Sequence, residues 1–171
     1  MSGAPFTIDY KKPHLVSVTM GSLYSKKTAS EAQLKTLRVT IDGHTVLESQ
    51  TDCHPSTPEE IAIGSNGIGG STCAPFLSGR IIMATTRSFN ASETTEADPK
   101  ITPIDTLTDK PQQYGAVRMA VQFPVVSNPR AEPLVVSGRP GAGDFIYVAY
   151  AGDGTLRLGY DHWGIGGPLS E

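Results

Sequence analysis

Short runs of alternating apolar and polar side chains recur along the chain. In Pro13-His14-Leu15-Val16-Ser17-Val18-Thr19-Met20, the residues Val16, Val18 and Met20 fall on one face while Ser17 and Thr19 fall on the other. A period of two is that of a half-buried β-strand. Leu37-Arg38-Val39-Thr40-Ile41 repeats the pattern, and after Asp42-Gly43 comes His44-Thr45-Val46-Leu47-Glu48. Asp-Gly between two such runs predicts a hairpin, because both residues tolerate the positive φ of a type I′ turn. Further strands are predicted over 60–64 and 79–86. They resume at Val117, Met119, Val121 and Phe123, then at Leu134-Val135-Val136 and at Phe145–Tyr150. The turn Gly152-Asp153-Gly154 leads into Leu156-Arg157-Leu158-Gly159-Tyr160, which predicts a second hairpin. The tail Asp161-His162-Trp163-Gly164-Ile165-Gly166-Gly167-Pro168 reads as a glycine-rich loop around the single tryptophan.

About nine short strands, with turns every roughly eight to twelve residues, require two sheets packed face to face. No window keeps a 3.6-residue apolar period for more than about two turns, so long helices are not expected. Residues 88–114 break the pattern. They are rich in Ser, Thr, Glu and Asp and carry Pro99, Pro103 and Pro111. They read as a polar connector with a short paired stretch near Ile101–Leu107, joining residues 1–87 to 115–171.

Composition narrows this picture. The 171 residues suit one domain, and 38% apolar residues with 18 glycines and 13 prolines fit many strands joined by tight turns. Fourteen basic and 17 acidic residues are mixed along the chain, for a net charge of −3. With no basic stripe, nucleic acid is not an expected partner. No apolar stretch nears the roughly 20 residues of a membrane span, so no membrane insertion is expected. The opening Met1-Ser2-Gly3-Ala4-Pro5 does not read as a signal peptide. At face value that predicts a cytoplasmic protein; as a segment of a longer chain, an extracellular or cell-surface setting is favoured. Asn90-Ala91-Ser92 fits a glycosylation acceptor in a secretory context. Cys53 and Cys73 are too few and too far apart for a zinc cluster. Two free thiols is the simpler reading, and a disulfide pinning their loops is the other.

Several of these strings together resemble the laminin G-like, concanavalin A-like jelly roll. The strand Val117–Phe123, the strand Leu134–Gly138 and the hairpin Phe145–Asp161 are similar to the family's opening. Its close is matched by His14-Leu15-Val16-Ser17-Val18, by Leu37–Gly43 ending in Asp-Gly, by Ile61-Ala62-Ile63-Gly64 and by Phe76-Leu77-Ser78-Gly79-Arg80-Ile81. The closing half precedes the opening half. Either the domain is circularly permuted, with the connector joining the family's usual ends, or the chain cuts across a tandem array. We adopt the permuted form: one all-β, two-sheet antiparallel jelly-roll sandwich spanning residues 1–171.

Candidate chemistry is sparse. Trp163 offers a flat face for stacking on a sugar ring, with Asp161 as acceptor and His162 as donor. The structural alternative makes Trp163 a plug at the core edge and Asp161 a turn cap. Asn66 joins the candidate ligand-binding residues from the loop Gly64-Ser65-Asn66-Gly67-Ile68-Gly69-Gly70-Ser71. That loop has no lysine and no following helix for phosphate binding, so its glycines serve turn geometry. The resemblance implies a calcium site at the sandwich rim, for which Asp144 and Asp161, with Asp153, are the candidates. Catalysis is not expected. The Glu-x-Asp-x-x-Glu strand of concanavalin-like hydrolases is missing, and Glu59-Glu60 reads as solvated. His14, His44, His54 and His162 are dispersed, and Cys53-His54 are neighbours in sequence only. The expected function is a non-catalytic, lectin-like recognition module for a glycan or a protein. The alternative is a structural spacer or interaction domain with no small ligand.

Overall fold

The computed structural model describes residues 1–71, 73–87, 114–165 and 167–170, with only the backbone of Arg87 and of 167–170. The connector residues 88–113, and with them Asn90 and the stretch Ile101–Leu107, lie outside the described residues. Among the described residues, ten strands run in chain order as β1 His14–Met20, β2 Thr36–Ile41, β3 His44–Gln50, β4 Ile61–Ile63, β5 Arg80–Arg87, β6 Ala116–Gln122, β7 Arg130–Arg139, β8 Ala142–Tyr150, β9 Leu156–Gly164 and β10 Gly167–Ser170. They form two antiparallel five-stranded sheets, ordered β3-β2-β1-β6-β5 and β10-β9-β8-β7-β4. The fold is a β-sandwich, as the alternation predicts.

The faces fall where the pattern puts them. Val16, Val18, Met20, Leu37, Val39 and Ile41 from one sheet meet Ile146, Val148, Leu156 and Leu158 from the other in one core. The Asp42-Gly43 turn has φ of 49° and 80°, both left-handed, as a type I′ hairpin requires. Asp42 also locks that hairpin to β1. Its Oδ1 accepts from the Leu15 amide at 2.9 Å, and its Oδ2 lies 2.7 Å from Nδ1 of the buried His14.

Strands from before and after the connector are interleaved in both sheets. β6 lies between β1 and β5, with Val18 opposite Val117 on one side and Thr86 opposite Val117 on the other. The strands predicted over 79–86 and at Val117–Phe123 are thus direct neighbours across the connector. β4 in turn adds to β7, with Ala62 opposite Val136.

Two features depart from the sequence reading. The only α-helix among the described residues is Glu31–Leu34, one turn held by a capping box between Ser30 and Gln33. More consequential, Asp161–Gly164 is not a loop. β9 continues through it to Gly164, and the chain returns as β10. The reason is the partner strand. β8 starts at Ala142 and carries the ladder on, with Asp144 opposite His162 and Gly143 opposite Trp163.

The sheet containing β7, β8 and β9 is covered on its outer face as well. Alternation turns Val136, Phe145 and Asp161 away from the core, yet all three are buried. The loop from Gly64 to Ser71 reaches this face. Ile68 packs onto Gly143, and Gly70 lies against the indole of Trp163. Left-handed φ at Gly64, Gly69, Gly70 and Ser71 lets it fold that tightly, in line with the turn role expected of its glycines.

Further along β9, the ring of Tyr147 lies over Gly159, its cross-strand partner. A methyl added at Gly159 would fall inside that ring. Gly159→Ala is expected to cost about 1–3 kcal/mol through overpacking, read as a lower urea midpoint with an unchanged m-value.

Candidate functional site

The β8–β9 hairpin gathers the polar chemistry. On the core side of β8 and β9, cross-strand pairing sets Asp144 opposite His162, and Ile146 opposite Tyr160. Because side chains alternate, Asp144, Tyr160 and His162 share the inward face. The segment after β3 then closes over them with Asp52, Cys53 and His54.

Asp144 is fully buried, and three groups donate to its carboxylate. The Tyr160 hydroxyl and the His162 Nδ1–H each reach Oδ1 at 2.7 Å, and the His54 amide reaches Oδ2 at 2.7 Å. A buried carboxylate that lost these donors would be costly, so the network fixes the geometry of all four residues. The Tyr160 oxygen also lies 2.9 Å from the Asp52 carbonyl and 3.6 Å from the Cys53 sulfur. Having a single proton, the phenol gives it to the charged acceptor, and the thiol can donate back to the phenol oxygen.

The two imidazoles stack, with ring centroids 4.1 Å apart and planes at 18°. His54 Nε2 donates to the Trp163 carbonyl at 3.0 Å, which ties the loop to β9. His162 keeps its Nδ1–H on Asp144, and its Nε2 has no hydrogen-bond partner among the described residues. Its pKa is raised, first by the hydrogen bond to Asp144 and then by that carboxylate's charge, against the opposing effect of partial burial. Burial, and after it the charge of Asp144, pushes the Cys53 thiol up to about 11. The same two causes push the Tyr160 phenol up. Both therefore stay protonated at neutral pH, and Cys53 is no ready nucleophile.

Trp163 and Asp161 lie on the other face of β9. Trp163 is half-buried against Gly70, and Ser71 Oγ donates to Asp161 Oδ2 at 2.6 Å. Asn66 belongs to the same loop. Its Nδ2 donates to the Gly70 carbonyl at 3.1 Å, while its buried Oδ1 has no partner among the described residues. The loop thus brings Asn66, Asp161 and Trp163 together. His162 sits across the strand from them, joined through His54.

The calcium candidates are not brought together. Asp161 stands opposite Phe145, one step from the Asp144–His162 pair, so the two carboxylates point to opposite faces of the sheet. Asp153 caps the turn at the far end of the hairpin, accepting from the Thr155 amide at 2.9 Å and hydroxyl at 2.7 Å. Some eight residues of strand separate it from Asp161, about 25 Å. Asp144 lies in β8, and Asp161 lies in β9 rather than in the glycine-rich loop the sequence suggested. Among the described residues, no three His, Cys, Asp or Glu side chains converge as a metal site. Both cysteines are free thiols.

Sequence reasoning missed His54, Cys53 and Tyr160 as members of this cluster. A usable signal existed for Tyr160. Once the turn at Gly152–Gly154 is centred, register alone places 144 opposite 162 and puts 160 on the same face. Nothing comparable fixes where residues 52–54 land.

Two expectations follow. Asp144→Ala leaves Tyr160, His162 and the His54 amide without their acceptor and should cost about 3–5 kcal/mol in denaturant unfolding, the scale of breaking a buried pair. For pH, the raised His162 value means that the folded state binds more protons than the unfolded one. Its stabilisation is full below the ordinary imidazole value of about 6.5 and is lost as pH rises through the raised folded value. The urea midpoint should therefore fall as pH rises above about 6.5, and His162→Gln should flatten that slope.

No family model, curated protein or solved structure matches this chain.

Proposed function

We propose that this chain is a non-catalytic, lectin-like recognition module. It is a laminin G-like, concanavalin A-like jelly roll with its two parts in permuted order. Its ligand meets the C-terminal half of β9 at His162, whose Nε2 accepts a hydrogen bond in the neutral ring and donates one in the protonated ring, while Trp163 and Asn66 lie on the opposite face of the strand. The observation that carries this reading is His162. Its imidazole is locked by a buried carboxylate on one nitrogen and has no partner on the other among the described residues. An oriented ring nitrogen suits a hydroxyl-rich ligand such as a sugar. The high value of the Cys53 thiol supports recognition over nucleophilic chemistry.

A second reading has its own support. Trp163 rests on Gly70 and Asp161 is engaged by Ser71, which suits a plugged sheet edge in a spacer or interaction domain.

A glycan array separates the two. The recognition reading expects the wild-type protein to bind at least one glycan class. His162→Gln should weaken that binding about tenfold, the loss of one good hydrogen bond. An array on which the folded wild-type protein binds nothing rejects recognition of sugars in favour of the spacer.

A further inference from the structure

Two separate stretches of chain share the outer edge of β9. Toward its end, β10 pairs antiparallel, with Gly167 opposite Gly164, Pro168 opposite Trp163 and Ser170 opposite His162. Along its first part, the partner is the beginning of the chain. The Met1 nitrogen donates to the Tyr160 carbonyl at 2.9 Å, and the Tyr160 amide donates back to the Met1 carbonyl at 2.8 Å. Ser2 bridges Gly159, the Gly3 amide donates to the Leu158 carbonyl at 2.8 Å, and Phe6 bridges Leu156.

Direction and register both agree between the two stretches. Each is antiparallel to β9, so they run the same way. Each step forward past Ser170 is one step back on β9, so the second position after Ser170 falls opposite Tyr160. Met1 stands there. A shift by one residue would have turned every following side chain to the wrong face. After a further one-residue shift before Phe6, Phe6 and Ile8 pack against the core. We infer that β10 and residues 1–6 are two pieces of one strand, and that this fold takes residue 1 as the direct successor of residue 171. The inference rests on the permuted order proposed above and stands apart from any ligand.

The physical reason is edge satisfaction. An open β9 edge would present a row of unpaired amides and carbonyls beside the core. One continuous strand would close that row, with the register shifts at 168–170 and before Phe6 accommodating the twist.

A permutant tests this with every residue kept: residues 101–171 followed directly by residues 1–100. It should be monomeric and melt within about 5 °C of the parent chain. The amides of Gly3 and Tyr160 should stay protected from hydrogen exchange. A short Gly-Ser spacer placed at the junction has to loop out of the ladder, so the spacer version should melt lower than the direct one. A direct permutant that fails to fold, aggregates, loses protection at Gly3 and Tyr160, or melts no higher than the spacer version overturns the inference. A glycan array blank for the parent chain would leave this result untouched, so the two failures are distinguishable.

Discussion

β6 is the strand on which the molecule depends. It follows the connector in sequence, yet it sits between β1 and β5, both of which precede it. Its Val117, Met119 and Val121 are fully buried against the other sheet. Antiparallel pairing on both of its edges binds the later part of the chain into a sheet built mostly from the earlier part. The opposite sheet repays the exchange, since β4 extends the run of β10, β9, β8 and β7. Neither part could bury its apolar faces alone, and non-local pairing of this kind makes folding comparatively slow.

Where the sheets meet at the β8–β9 end, the core turns polar. Asp144 there fills the place that an aliphatic residue holds at Ile146 and Val148. Its donors come from the adjacent strand and from the segment after β3. A second small polar group lies nearby, where Ser137 Oγ donates to Ser22 Oγ and Ser56 Oγ donates to the Ser22 carbonyl, each at 2.6 Å. Such groups are stable inside a core because each is matched, and they fix the register of the two sheets more sharply than interchangeable hydrocarbon would.

Most of the fold was legible in the sequence because alternation is a local property. Val16, Val18 and Met20 announce their face, and Asp42-Gly43 announces its turn, without reference to anything distant. Legibility failed where a distant partner decides. Pro133 hides the first part of β7, since proline donates no amide to a ladder. It is accommodated beside a bulge, at a point where the three-residue β4 does not reach. Asp161–Gly164 looked like a loop because its side chains are polar and its neighbours are glycines. Asp144 and the loop from Gly64 to Ser71 are what hold it as strand. The candidate site was half legible for the same reason. The Asp144–His162 pair is written in the symmetry of one hairpin, whereas the arrival of His54 is a matter of how a long segment crosses the sandwich.

The shared edge of β9 bears on assembly. Alone, the chain finishes the β9 edge with its own opening residues; in copies linked end to end, a successor's opening residues could take that place and couple one unit to the next. Melting would then spread from neighbour to neighbour, and resistance to unfolding would rise with the number of links.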